Sequence, residues 1–255
     1  MNVSEQELEI FSRNLILKEF DEKSFKNLQN KKISVVGMGG IGCPASLYLV
    51  ATGIKKLNLI DGDNIEKTNL NRQLLYSIKN IGEYKTKIAK KRLKDINPEC
   101  QISSIPYNIN SKNISKYLKD SSLVIDTTDN WNTMILINEF CVKNSIPLIS
   151  SSAIGFDSQV ILFKNKLNQH LCLECIFPNN DETNLPRCDT VGIIGTAAGI
   201  AGLIVAQKTI NFFLGNQTSD TFITMFNTKS LKIDSLTLKK NNNCRLLKIN
   251  SPNKH

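Results

Sequence analysis

The chain has 255 residues, 41% of them hydrophobic and 22% charged, with a formal net charge of +9. That size suits one α/β domain with a full core. The positive charge is spread along the chain without an RNA- or DNA-binding motif, which argues against a nucleic-acid partner and leaves attraction of an acidic protein or of ATP phosphates.

The opening residues MNVSEQELEIFSRN lack a basic region followed by an apolar run, so neither a secretory signal nor a lipidation motif is expected and the protein reads as cytoplasmic. The weakly polar stretch from Val191 to Ala206 falls short of the roughly 20 apolar residues of a membrane span, and is expected to be a buried helix. Seven cysteines in such a chain are expected to stay reduced, pointing to metal binding or thiol chemistry rather than to a disulfide framework.

Residues 4–20 read as a helical arm, with Leu8, Phe11, Leu15 and Leu17 forming an imperfect apolar stripe. Lys32 to Val36 is a short β-branched run that ends in Gly37-Met38-Gly39-Gly40-Ile41-Gly42, and Pro44 to Thr52 is predicted helical. A second strand, Leu57 to Ile60, ends at Asp61 and completes a βαβ unit.

The alternation continues with a basic amphipathic helix over Ile81–Ile96, a strand over Ile102–Tyr107, a helix over Lys112–Leu118, a buried strand over Leu123–Ile125 and a helix over Trp131–Lys143. Pro147–Ala153 and Gln159–Phe163 look like strands only a few residues apart, so antiparallel or mixed pairing is expected there. Residues 165–190 form a long loop, Gly195–Leu214 a helix, Thr221–Phe226 and Leu231–Leu236 a last hairpin, and residues 239–255 a polar tail. One domain with a Rossmann-like, mixed and mostly parallel sheet and helices on both faces follows.

Glycines at 37, 39 and 42 let backbone N–H groups at a helix N-terminus approach a phosphate, and Asp61 is placed to accept from ribose hydroxyls. The turn alone serves NAD, FAD, S-adenosylmethionine or ATP equally well. The discriminating residues lie downstream.

Gly37 to Cys43, Leu59-Ile60-Asp61-Gly62-Asp63 and Asn69-Leu70-Asn71-Arg72-Gln73 resemble the ThiF/MoeB/HesA family, which includes the adenylation domains of ubiquitin-activating enzymes. The likeness continues through Ile81 to Lys85, Ile96-Asn97-Pro98, Asp126 to Asn130 and Cys188 to Gly195. It implies ATP-dependent adenylation of the C-terminal glycine carboxylate of a ubiquitin-like sulfur carrier, ThiS- or MoaD-like, in thiamine or molybdopterin synthesis.

The same resemblance implies that Gly37, Gly39, Gly40 and Gly42 cradle phosphate, that Asp61 meets the ribose, and that Arg72 and Lys85 grip the triphosphate. Asn69, Gln73 and Asn130 would line the nucleotide site, and Asp63 would bind there or only brace its loop. Lys85 also reads as a solvated residue of a basic helix, and Asp129 as either a Mg²⁺ ligand or a helix cap. Asp126 is expected to be structural.

Arg13 resembles the arm residue that enters the partner subunit's site in homodimers of this family. Cys188 matches a loop cysteine that takes part in sulfur transfer in relatives, where a cysteine desulfurase or rhodanese would be the sulfur donor; an ordinary loop cysteine is the other reading. Cys172-Leu173-Glu174-Cys175 has zinc-knuckle spacing, and Cys244 begins the second pair, but Leu247 stands where a fourth thiolate is expected. A Zn²⁺ site of three cysteines and a degenerate site with free thiols are both open, and His170 or His255 could supply a substitute ligand.

An NAD-dependent oxidoreductase would share the glycine turn without needing Arg72, Lys85 and Asp129. A catalytically degenerate carrier-binding module would account for the incomplete cysteine quartet.

Overall fold

Apolar runs buried on both faces are the condition under which parallel strands persist, and here they form the middle of the sheet. The computed structural model describes residues 3–165, 171–177, 192–215, 222–239, 241 and 244–246. Two helices, α1 (Glu5–Leu15) and α2 (Glu22–Gln29), precede β1 (Lys32–Val36), α3 (Gly42–Ala51) and β2 (Lys56–Ile60). Then come α4 (Lys85–Ile96), β3 (Gln101–Ile105), α5 (Ile114–Leu118), β4 (Leu123–Asp126), α6 (Trp131–Lys143) and the hairpin β5 (Leu148–Ile154) and β6 (Asp157–Phe163). A one-turn helix α7 (Leu173–Ile176), a long helix α8 (Gly195–Leu214) and the hairpin β7 (Phe222–Asn227) and β8 (Lys232–Thr237) complete the described elements.

The eight strands run in the order β3-β2-β1-β4-β5-β6-β7-β8. Strands β1 to β5 pair in parallel, whereas β6, β7 and β8 add antiparallel neighbours, as expected for the short β5–β6 connection. One face carries α3, α4 and α8, the other α5, α6 and α7, each over its own apolar cluster. The chain leaves β1 toward β2 and β3 and returns to its other side as β4, so the carboxyl ends of β1 and β4 flank the crevice in which open α/β sheets hold ligands.

Several elements depart from the sequence reading. Residues 22–29 are helical although the pattern left them unassigned: Phe25 and Leu28 are its only apolar anchors, and the Asp21 carboxylate accepts from the Ser24 N–H at 2.8 Å. The helix expected over 81–96 begins at Lys85, because residues 82–85 pair with 63–65 through Gly82 N–H to Ile65 O at 2.9 Å, Ile65 N–H to Glu83 O at 2.9 Å and Lys85 N–H to Asp63 O at 3.1 Å. The arm's helix stops at Leu15 rather than 20; Leu8 and Leu17 are exposed, while Phe11 is buried against Phe25 with ring centroids 5.0 Å apart. The irregular segment after residue 165 contains α7.

Helix α8, at 20 residues, is long and apolar enough by composition to cross a bilayer, yet its small residues Ala198, Ala201 and Gly202 lie in the core. Gly202 is required there: a Cβ would stand 2.6 Å from the Ile41 carbonyl oxygen of α3's N-cap. The helix is the packing partner of α3 and of the sheet.

Glu7 fastens the arm to the domain. Its side chain is 6% exposed and meets Lys26 Nζ at 2.8 Å and Lys55 Nζ at 2.7 Å, while Gln29 Nε2 donates to it at 2.6 Å and the Ser4 N–H at 3.0 Å. Burial alone would raise its pKa, but the hydrogen bonds from Lys26 and Lys55 overcome that and hold the carboxyl well below the usual range. A depressed native pKa contributes stability that is complete above the unfolded value of about 4.5 and fades as pH falls below it. Glu7→Ala is expected to cost about 2 kcal/mol at pH 7 and part of that near pH 3, with the loss shrinking further at lower pH, read by denaturant unfolding at pH 7 and pH 3; an equal loss at both would remove the electrostatic account.

Candidate functional site

A cleft of about 740 Å³ opens at the carboxyl ends of β1, β2, β4 and β5. Its floor is the turn after β1. Gly37 has φ +92°, and a Cβ there would lie 2.9 Å from the Thr127 carbonyl oxygen, so no other residue fits that close approach of β1 to β4. Thr127 closes the same contact by donating its hydroxyl to Gly37 O at 2.6 Å and its N–H to Val36 O at 2.9 Å. Gly39 and Gly40 line the cleft, whereas Gly42 packs beneath it as the first residue of α3.

Asp61 joins the two halves of this floor. One carboxylate oxygen accepts the Met38 N–H at 2.6 Å and the other the Asp63 N–H at 2.8 Å. Burial raises its pKa, and the nearby Lys85 ammonium pulls it back down. Lys85 is the first residue of α4, with its side chain 8% exposed and its Nζ 2.9 Å from Asp63 Oδ2. It is therefore not the solvated lysine that a basic helix alone would suggest.

Asn69 and Gln73 are buried in the same wall. Asn69 accepts the Glu66 N–H through its side chain at 3.1 Å, whereas the buried Gln73 Oε1 has no hydrogen-bond partner among the described residues, a vacancy that suits a ligand donor. Arg72 is half-buried, lines the cleft and donates through Nη1 to Thr68 O at 3.0 Å and Asn71 Oδ1 at 3.1 Å.

Across from these stand Asp129 and Asn130, both exposed and both lining the cleft. The cap of α6 is Asn130, which accepts the Thr133 N–H at 2.9 Å; Asp129 is thereby left available as an oxygen donor for a hard cation beside phosphate. Asp126 is fully buried and tightens this loop by accepting the Thr128 N–H and hydroxyl at 3.0 and 2.7 Å. Burial pushes its carboxyl up to about 6.

Sequence reasoning named Arg72, Lys85, Asp129 and the nucleotide-cradle residues, and the fold brings them to one cleft, Gly42 serving from below. It missed Asn108, which accepts the Gly62 N–H at 3.0 Å, and Ser152 and Gln159, joined at 2.9 Å on the floor beyond Thr127. Asn108 follows β3 and Ser152 lies near the carboxyl end of β5, a position that itself marks ligand-side residues in such sheets. Arg13 lies elsewhere, exposed in the last turn of α1 and away from the residues that line the cleft of its own chain. Cys188, His170, Leu247 and His255 lie outside the described residues.

Cys172, Cys175 and Cys244 converge. Their sulfurs lie within 4.8 Å of one another, with Cys172 Sγ 3.8 Å from Cys175 Sγ and 3.6 Å from Cys244 Sγ. Thiolates on a tetrahedral zinc with bonds of about 2.3 Å would be about 3.8 Å apart, so these three fit such an ion.

A doubly wound sheet whose switch-point cleft joins a glycine turn, two cations and an exposed acid defines a nucleotide-using enzyme. The ThiF family description matches residues 11–246, and the chain belongs to that family. It is 30% identical over 234 residues to the sulfur carrier protein ThiS adenylyltransferase of Escherichia coli K12, covering 92% of each chain. It is 34% identical over 215 residues to the adenylyltransferase and sulfurtransferase MOCS3 of Culex quinquefasciatus, spanning 84% of this chain and 49% of that one. Against such MOCS3 proteins the chain therefore spans about half the length. Among solved structures, Escherichia coli MccB with MccA-N7isoASN superposes with a TM-score of 0.81 at 24% identity over 92% of this chain and 73% of that one. MccB with ATP gives 0.80 over 92% and 72%, also at 24% identity. The chain is an adenylyltransferase of an ATP-using family, and membership in it sets aside the oxidoreductase reading of the glycine turn.

A Cβ at Gly42 would collide with the Gly37 carbonyl oxygen, which is backbone, and press on the Thr127 side-chain Oγ1 at 3.0 Å. Gly42→Ala is expected to destabilise the chain by about 2 kcal/mol and to weaken ATP binding at least tenfold in titration calorimetry, since the turn must shift. Unchanged binding would mean that the turn does not cradle the phosphates.

Proposed function

We propose that the chain uses Mg-ATP to adenylate the C-terminal glycine carboxylate of a ubiquitin-like sulfur carrier, ThiS- or MoaD-like, in thiamine or molybdopterin synthesis. The observation that carries this reading is the convergence of Arg72, Lys85 and Asp129 on the cleft floored by the glycine turn. A carboxylate oxygen attacks the α-phosphorus, the bond to the β-phosphate bridging oxygen breaks, and pyrophosphate leaves. Both reactants are anionic, so the work of the site is positioning and charge neutralisation rather than strong base catalysis.

Backbone N–H groups of the glycine turn meet the phosphates from below. Arg72 and Lys85 grip the triphosphate from the side, Asp61 accepts from the ribose, and Asn69, Gln73 and Asn130 place the nucleotide. Asp129 is the protein ligand for Mg²⁺, which supplies further neutralisation of the phosphates. The chain acts as a homodimer in which the partner subunit's Arg13 completes the site; its exposure on α1 and the separate cleft of its own chain support this arrangement. The Cys188 thiolate attacks the acyl-adenylate carbonyl to form a thioester as AMP leaves, or takes sulfane sulfur from the persulfide of a cysteine desulfurase or rhodanese, whose thiol is the leaving group; the setting is cytoplasmic.

ATP–pyrophosphate exchange is expected in the presence of one of the two carriers and to fall about a hundredfold or more in Arg72→Ala and Lys85→Ala. Absence of exchange with both carriers would leave a carrier-binding module instead. Arg13→Ala is expected to be impaired alone and to regain part of the activity when its chains are mixed with Arg72→Ala chains; no recovery would refute a shared site.

The same reading places Zn²⁺ on Cys172, Cys175 and Cys244 as a structural ion, with the fourth position taken from outside the cysteine set. Metal analysis of the purified protein is expected to give close to one zinc per chain, and a value near zero would identify the cluster as free thiols.

A further inference from the structure

Lys85 has a second role to satisfy besides meeting phosphate, because without nucleotide a lysine 8% exposed needs an anion close by. The structure supplies one: Asp63 Oδ2 lies 2.9 Å from Lys85 Nζ. The pair is built from the backbone outward. Lys85 N–H donates to Asp63 O at 3.1 Å, and the flanking Asn64 and Tyr84 form a β-bridge, so the two side chains leave adjacent points of one short ladder. The Asp63 N–H is held by Asp61 Oδ1, which fixes the start of the same turn. The two partners are unequally placed, with the lysine side chain enclosed and the aspartate side chain 62% exposed, and both line the nucleotide cleft.

We infer that Asp63 is a positioning residue that parks the Lys85 ammonium when no nucleotide is bound and competes with the triphosphate for it. The inference rests on the nucleotide reading of the cleft. No residue enters or leaves: the ammonium exchanges a carboxylate partner for phosphate oxygens, and the exposed Asp63 carboxylate is released to water. The exchange is cheap at the aspartate end because that group is already mostly solvated, and the lysine is never left buried without a counter-charge. When pyrophosphate departs, Asp63 recovers the ammonium and opposes rebinding. Asp63 therefore weakens nucleotide binding while speeding product release.

The prediction is a split between binding and turnover. Asp63→Asn keeps the shape and removes the charge, and it is expected to tighten ATP binding about twofold to fivefold in titration calorimetry, the range of one partly exposed ion pair. Its KM for ATP is expected to fall while kcat does not rise, because pyrophosphate leaves more slowly. The tightening is expected to persist with EDTA in place of Mg²⁺ and to vanish in the Lys85→Ala background, where Asp63→Asn should have no effect of its own. Weaker binding in Asp63→Asn, confined to Mg²⁺ conditions, would overturn the proposal in favour of a metal-holding role. Unchanged affinity would overturn it by marking the pair as inert. Failure of the wild-type chain to bind ATP would instead strike at the nucleotide reading, and the parking role would go with it.

Discussion

The site depends on the carboxylate of Asp61, which receives the Met38 N–H of the glycine turn on one oxygen and the Asp63 N–H of the next turn on the other. A glycine-rich turn is conformationally costly, since it gives up more backbone freedom than any other sequence would. Here the cost is offset by a charge-assisted hydrogen bond of 2.6 Å from a residue that is 9% exposed, where water competes little. The same carboxylate sets the start of the 63–65 ladder and, through it, the position at which α4 presents Lys85. One buried acid therefore fixes both the amide floor and the cationic wall.

On the proposed reading, the charge of the cleft meets a reaction between anions. Arg72 and Lys85 supply the positive side, and each has a local acceptor that keeps it oriented before phosphate arrives: backbone and Asn71 oxygens for Arg72, Asp63 for Lys85. For Arg72, whose acceptors are neutral, such preorganisation lowers the reorganisation needed in the transition state, whereas Lys85 is held by a charged partner. Asp126 is kept apart from this traffic. Buried and engaged with Thr128, it shapes the loop that carries Asp129 without itself reaching the exposed part of the cleft.

The central strands and the long helices were legible in the sequence because their cues are local: β-branched runs over 32–36 and 123–125, and the glycine pattern at 37–42. Helix α6 was placed with both of its ends correct. The start of α4 was not, because a ladder between residues 63–65 and 82–85 takes up backbone groups that helical periodicity alone would assign to the first turn. Helix α2 escaped notice since two apolar residues in eight give little pattern, although both are fully buried. Motifs mark site residues such as Arg72, Lys85 and Asp129; Asn108, Ser152 and Gln159 carry no such signal, because their place in the cleft comes from strand ends brought together by tertiary pairing.

The cysteine cluster sits at a junction that other contacts hold together. Cys172 and Cys244 are 72 residues apart, and their sulfurs meet at 3.6 Å beside buried Val142 and Leu246. The same two segments are also joined by Arg245, whose Nη2 donates to Glu174 Oε1 at 2.8 Å and lies 3.5 Å from Glu139 of α6. Glu174 is 6% exposed at its side chain, so this pair is shielded from water on one side and stronger than an ordinary surface bridge. Apolar contact and a half-buried ion pair thus hold α7 against residues 244–246 independently of any ion. The junction therefore needs neither an ion nor a fourth thiolate to persist.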